Sequence, residues 1–275
     1  MKSQITAIQI HIICALLFLP VVVKSQEIPF LGPRSFSLGH SSTALADEYS
    51  IFNNPGTLGF VENGSIASGC LSLYQVEGLN SVFATFTAAF KNGAFSIGAF
   101  NLGDEIYNTN RVSMGFGNKL GLASLGSSIN YNHYYFEGLD AYGFITVDVG
   151  GLAEIGPLLS IAASIKNITQ TKISRYTGEY FPTLMSTCLS YKPTNLIILN
   201  CQYDKDLENP GRLKLGLEYN YSSLVLRAGL TTDPSLLSFG LGFHHKKLRI
   251  DYGLANHQVL NSSHTISISY YFKNA

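Results

Sequence analysis

The sequence predicts an all-β protein, a membrane-spanning antiparallel β-barrel of about 14 strands with an N-terminal hatch segment inside or under its lumen. Three observations lead to this prediction. Apolar and polar residues alternate in many runs of about ten residues, and long connections between runs alternate with short ones. Only 13% of the residues are charged, against about 25% in a typical globular protein. The chain therefore lacks the charge that a fully solvated surface requires.

The first 25 residues have the layout of a secretory signal peptide. Lys2 precedes an apolar run over residues 12–23, and small or aliphatic residues stand at the minus-three and minus-one positions of a cut after residue 25. We expect this segment, 1–25, to be removed. The alternative is an uncleaved anchor helix, which requires about 20 uninterrupted apolar residues, whereas Gln9, His11 and Pro20 interrupt the apolar residues here.

The charge balance and the cysteines exclude some classes of function. Loss of Lys2 and Lys24 leaves 16 basic and 18 acidic residues, a formal charge of −2. A nucleic-acid-binding protein would carry a basic surface, so no nucleic-acid partner is predicted. Cys70, Cys188 and Cys201 are an odd number without close spacing, so they predict no metal site, and whether any two of them pair stays open.

Residues 26–63 precede the first long strand and are predicted to form the hatch, with the barrel over 64–275. Their many apolar side chains argue against a solvated tail, so we expect the segment to enter the lumen. The run 44–49 (ALADEY) resembles a short helix that Ser41, Ser42 or Thr43 would cap. Asn54-Pro55-Gly56 is typical of a turn, with a positive φ expected at Gly56.

Fourteen strands are predicted in the barrel. In the run LKLGLEY at 213–219, leucines and a tyrosine fall on one face, and lysine, glycine and glutamate fall on the other. Strands of about ten residues cross a bilayer when tilted, and long loops on one rim with short turns on the other are typical of outer-membrane barrels. The predicted ranges are 66–74, 80–90, 93–102, 111–119, 122–132, 141–150, 158–166, 182–191, 195–204, 211–220, 222–230, 235–244, 246–255 and 263–272.

The polar faces of these strands are predicted to point into the lumen, because lipid surrounds a closed barrel. Neighbouring strands then place charges of both signs together. One interpretation is a neutralising salt-bridge network in a wet interior, and the alternative is a transport or binding role. The predicted lumen polar cluster consists of Lys214, Glu218, Arg227, Arg249 and Asp251.

An ordered motif in the hatch segment resembles the N-terminal signature of the PorV/PorQ group, a branch of the FadL-like barrels of Bacteroidetes-type bacteria. The motif is RSxxLGxxxxALADxxxxFxNPxxL, and the strands after about residue 182 also resemble the closing strands of that group. Gly56 departs from the alanine that usually follows the proline. The hatch residues carried over from the signature are Arg34, Gly39, Asp47, Asn54 and Pro55, together with Gly56 at the position of the departure.

The resemblance implies a location in the outer membrane and two possible roles. Members are linked to passage of hydrophobic compounds across the outer membrane, or to the type IX secretion system as accessory proteins. The partners implied are outer-membrane lipids together with hydrophobic small molecules or secretion-system proteins. A structural outer-membrane barrel with no transport role is the remaining alternative.

No enzymatic activity is predicted. The sequence contains neither a GxSxG elbow nor an HExxH motif, so no catalytic residue, metal or cofactor is assigned. His244 and His245 precede two lysines in what we interpret as a solvated tight turn at the rim, because they lack the spacing of metal ligands.

Overall fold

The computed structural model describes residues 31–138, 140–173, 180–206 and 210–272. The predicted signal peptide, 1–25, and the first residues of the predicted hatch segment, 26–30, lie outside these ranges. Among the described residues, no helix has both the length and the apolar character needed to cross a membrane.

Fourteen antiparallel strands form one closed barrel, as the sequence predicts. Each strand pairs with its neighbours in the chain, and β1 pairs with β14 to close the sheet. Closure leaves no strand edge with unpaired backbone groups, which is the condition for a sheet to span lipid. The strands are β1 Ser65–Ser72, β2 Asn80–Phe90, β3 Gly93–Gly103, β4 Tyr107–Leu120, β5 Ala123–Phe136, β6 Tyr142–Glu154, β7 Leu159–Lys166, β8 Leu184–Thr194, β9 Ile197–Asp206, β10 Arg212–Tyr221, β11 Leu224–Thr232, β12 Ser235–His245, β13 Leu248–His257 and β14 Ser263–Tyr271.

The outer face of the barrel is apolar and the inner face is polar. On β10, Leu213, Leu215 and Leu217 are 40–43% exposed on the outside. Lys214 and Glu218, which alternate with them, are buried. This arrangement is the reverse of a soluble protein, because here the leucines face the surroundings and the charges face the interior.

Most of the longer connections lie at one end of the barrel, so its two ends differ, although the β11–β12 connection at that end contains only residues 233–234. The β2–β3, β4–β5, β8–β9, β10–β11 and β12–β13 connections are tight turns at one end, which we call the short-turn rim. The other end, the long-loop rim, includes the β7–β8 connection over residues 167–183. The start of β1 and the end of β14 lie at the short-turn rim, as expected for an even strand count.

The N-terminal segment lies inside the barrel. It contains helix α1 (Pro33–Ser37), helix α2 (Ser50–Asn53) and a 3-10 helix (Pro55–Phe60). Helix α1 packs against β11 to β14, and the 3-10 helix packs against β3 to β6. Apolar side chains of the hatch form a core with inward-facing residues of the wall, Ala67, Leu71, Phe83, Ala94 and Ala255.

Two local predictions in the hatch are wrong. The run 44–49 is not helical, because local hydrogen bonds compete with a helix: Ser50 Oγ accepts from the backbone N–H of Asp47 at 3.0 Å. The helix begins at Ser50 instead. Gly56 has no positive φ, because it lies in the first turn of the 3-10 helix. Asn54 is extended, as expected before a proline.

Candidate functional site

Charged side chains of the hatch and of the barrel wall form a closed ring, which we call the charged ring. Arg34 of α1 donates from Nε and Nη2 to the two carboxylate oxygens of Glu218, at 2.8 and 2.7 Å. The same guanidinium lies 3.6 Å from the Asp47 carboxylate. The hatch contributes Arg34, Asp47 and Glu48, and the wall contributes Glu218, Arg227, Arg249 and Asp251.

The ring continues along the wall through side chains of three strands, β10, β11 and β13. Arg227 donates to Glu218 at 2.8 Å and to Asp251 at 2.6 Å, and Arg249 donates to Asp251 at 2.6 Å. Arg249 lies 3.8 Å from the Glu48 carboxylate, which returns the ring to the hatch beside Asp47. Acids and bases alternate through most of the ring, so each carboxylate has a cation beside it.

Glu48 is also fixed by hydroxyl groups of β14. Tyr271 and Ser269 donate to its two carboxylate oxygens at 2.7 and 2.9 Å. A buried carboxylate needs such donors, because desolvation without compensation costs several kcal/mol. The last strand of the barrel therefore holds the hatch directly.

Burial shifts the pKa of Asp47, which belongs to the hatch. Loss of hydration and, to a smaller extent, the neighbouring Glu48 carboxylate raise the pKa of Asp47 to about 6, although Arg34 opposes the shift. The protonated form of Asp47 is therefore favoured in the folded chain more than in the unfolded chain. Near neutral pH the carboxylate is charged and depends on Arg34 for compensation.

Lys214 is separate from the other four residues of the predicted lumen polar cluster. Its Nζ atom lies 2.5 Å from Asp204 on β9. Gln202 donates to the same carboxylate at 2.8 Å, and its amide oxygen accepts from the backbone N–H of Thr43 at 2.9 Å. A further polar contact thus joins hatch and wall, through Gln202.

Glycines on the inner face of the wall allow the hatch backbone to approach closely. A Cβ atom on Gly117 would lie 2.6 Å from the carbonyl oxygen of Pro55, and one on Gly216 would lie 3.0 Å from Leu38. Gly39 has φ 64° and also faces the wall, where Thr231 donates to its carbonyl oxygen at 2.7 Å. Side chains larger than hydrogen would force hatch and wall apart at these points.

Asn54 ties two parts of the hatch together. Its Oδ1 atom accepts from the backbone N–H of Gly56 at 2.9 Å, which caps the 3-10 helix. Its Nδ2 atom donates to the carbonyl oxygens of Thr43 and Gly151, at 2.7 and 3.2 Å. Asn54 therefore joins the two halves of the hatch to each other and to β6.

Aromatic side chains gather inside the long-loop rim, in what we call the mouth cluster. The Phe181 ring, from the β7–β8 connection, lies 5.0 Å from Phe144 and 6.4 Å from Tyr134, between ring centroids. The Arg111 guanidinium lies 5.9 Å from the centre of the Phe181 ring. Because Phe144 and Tyr134 share the inward faces of β6 and β5 with buried polar residues, the cluster lines the lumen.

Several residues of this site were not singled out by the sequence. Glu48 was part of the run 44–49 that was expected to be helical, and Tyr271 was part of the last predicted strand, 263–272. Phe181 carried no signal of its own. For Asp204 and Tyr271 a signal existed, since both alternate with outward apolar residues and so belong to the polar face.

No group of three or more residues that would hold a metal ion occurs within the ranges that the structure describes. The carboxylates of the charged ring are engaged with arginines and hydroxyls, whereas Arg227 Nη2 is buried without a hydrogen-bond partner among the described residues. Its geometry fastens one part of the chain to another.

Comparison with known proteins supports the fold. No protein-family model matches the sequence. No curated protein matches it either. Solved structures do match, including the toluene transporter TbuX of Ralstonia pickettii, which is 13% identical with a TM-score of 0.70 over 90% of this chain and 100% of that chain.

Two further structures give the same result. The monoaromatic hydrocarbon channel CymD is 14% identical, with a TM-score of 0.72 over 91% of this chain and 99% of that chain. A FadL homologue of Pseudomonas aeruginosa is 11% identical, with a TM-score of 0.66 over 89% of this chain and 99% of that chain. The chain therefore has the fold of the FadL-type barrels.

Proposed function

We propose that this protein is an outer-membrane barrel through which hydrophobic small molecules pass. The observation that carries the proposal is the mouth cluster, an aromatic lining of the lumen at the long-loop end of a barrel that a fastened hatch fills. Aromatic rings offer a hydrophobic ligand a large contact area. The similarity to barrels described as hydrocarbon transporters and channels supports the same reading.

A deletion strain tests this function. Uptake of a labelled aromatic hydrocarbon is expected to fall when the gene is deleted and to recover when the unchanged chain is supplied. Complementation with Phe181→Ala should raise the concentration needed for half-maximal uptake by about two- to tenfold, because one aromatic contact is lost. Phe90→Ala is the matched control, since Phe90 lies on the outer face at the short-turn rim. Equal uptake in the deletion strain and its parent, over a broad panel of compounds, would contradict the proposal.

A second candidate is an accessory role in type IX secretion. The observation that favours it is the ordered PorV/PorQ signature, from Arg34 to Leu58, in the hatch. Affinity purification from solubilised outer membranes should then recover secretion-system proteins together with this chain. Isolation as a lone monomer under gentle extraction would argue against this role. It would not argue against the proposed passage of hydrophobic molecules.

A further inference from the structure

The two rims of the barrel carry opposite charge, although the formal charge of the whole chain is zero. Among the described residues, the short-turn rim has two acids, Glu62 and Glu154, and five lysines. We call the five lysines the basic rim. The basic rim consists of Lys91, Lys119, Lys192, Lys246 and Lys247. The long-loop rim has Lys172, Lys205 and Arg212 against the acids Glu77, Asp104, Glu105, Glu137, Asp140, Asp206 and Asp233.

The apolar outer face extends as far as the basic rim. Leu120 and Leu122, which flank the tip of the β4–β5 turn beside Lys119, are 68% and 67% exposed. The rings of Phe90 and Phe116, beside the β2–β3 and β4–β5 turns, stack with their centroids 5.7 Å apart. Lysines that directly border such a surface place their ammonium groups at the level of lipid headgroups.

Most lysines of the basic rim have no acidic partner among the residues that the structure describes. Lys119 lies 3.6 Å from Glu154 and 4.0 Å from the centre of the Phe60 ring. For Lys91, Lys192, Lys246 and Lys247, the described part of the chain supplies no ion pair. The adjacent pair Lys246 and Lys247 forms the densest positive charge, at the tip of the β12–β13 turn.

We propose that the basic rim binds the phosphate-bearing headgroups of anionic phospholipids in the leaflet that faces the short turns. This inference rests on the membrane placement proposed above and adds the class of lipid. Each lysine at an anionic membrane surface contributes attraction that salt screens. The acidic excess of the long-loop rim opposes the same contact there, so the charge pattern gives the two leaflets different roles.

Native mass spectrometry of the detergent-solubilised protein tests the proposal, with phosphatidylglycerol and phosphatidylethanolamine as the two probes. Binding of phosphatidylglycerol is expected to be tighter than binding of phosphatidylethanolamine. The double variant Lys246→Glu/Lys247→Glu should weaken phosphatidylglycerol binding about fivefold or more, because two attractive charges become repulsive. Raising the ionic strength should weaken binding to the unchanged chain in the same direction.

The matched control is Lys172→Glu/Lys205→Glu, which makes the same charge change at the long-loop rim and should leave phosphatidylglycerol binding unchanged. Equal binding of the two lipids, or no effect of Lys246→Glu/Lys247→Glu, would overturn the proposal. Recovery of an acidic soluble protein on the basic rim, without lipid preference, would also overturn it. Heat-modifiable gel mobility after insertion into phosphatidylcholine vesicles reports the membrane placement separately, so failure of one inference is distinguishable from failure of the other.

Discussion

Replacement of Arg34 by alanine is expected to release the hatch from the barrel wall while the barrel stays folded. The substitution removes both hydrogen bonds to Glu218 and the cation beside Asp47. Loss of one partner from a buried ion pair costs about 3–5 kcal/mol, because the remaining charge is left without compensation. Glu218 keeps Arg227 and the barrel keeps its strand pairing, so the cost falls on the hatch.

Hydrogen exchange of residues 31–61 measures this effect. Amides of the hatch are expected to exchange about 100-fold faster or more in Arg34→Ala, while amides of the strands keep their protection. Conductance in a planar bilayer should rise in parallel, since a loosened hatch blocks the lumen less. Arg212→Ala, at the long-loop rim, is the matched control and should change neither quantity. Unchanged exchange in the Arg34 variant would show that the charged ring does not hold the hatch.

The strands were predictable because one physical constraint acts on every residue of them. A strand between lipid and lumen must alternate apolar and polar side chains, so its pattern is visible without knowledge of its partners. The predicted strand 211–220 corresponds to β10, Arg212–Tyr221, and 80–90 corresponds to β2, Asn80–Phe90. Closure then follows from the cost of an open edge in lipid.

The contacts of the hatch were not predictable in the same way. Arg34 and Glu218 are 184 positions apart, and nothing in either local pattern selects the other. The short acidic run at Asp47 and Glu48 was typical of a helix, yet its backbone follows local hydrogen bonds and its carboxylates turn to Arg34 and to β14. A charge in the sequence predicts that some partner exists, but the partner depends on how the hatch lies in the lumen.

The packing of Gly56 against the wall was likewise not predictable from the local sequence. The turn prediction explained this glycine by backbone freedom, whereas the structure explains it by lack of space. Gly56 faces the backbone of Gly150 and Gly151 on β6, and a Cβ atom on Gly56 would overlap both. The reason for the residue therefore lies on another strand, about a hundred positions away in the chain.

Gly56→Ala is accordingly expected to displace the 3-10 helix from the wall, even though alanine is the usual residue at this position in the PorV/PorQ group. Neither β6 nor the hatch can yield cheaply, because the opposing atoms are backbone atoms in a paired strand. Overpacking of this kind costs about 1–3 kcal/mol. We expect faster hydrogen exchange over residues 54–61 and greater sensitivity of the expressing cells to bulky antibiotics, with heat-modifiable gel mobility retained.

Gly156→Ala provides the control for Gly56→Ala, because Gly156 lies in the β6–β7 connection and a Cβ atom there would contact nothing within 4 Å. It makes the same chemical change and should leave hydrogen exchange and antibiotic sensitivity as they are in the unchanged chain. If the Gly56 variant behaved like this control, the hatch would have room to move away from β6 without loss of its protection from hydrogen exchange. The contact between Pro55–Gly56 and the glycines of the wall would then not be what positions the hatch, and the charged ring and the other polar contacts between hatch and wall would have to do so.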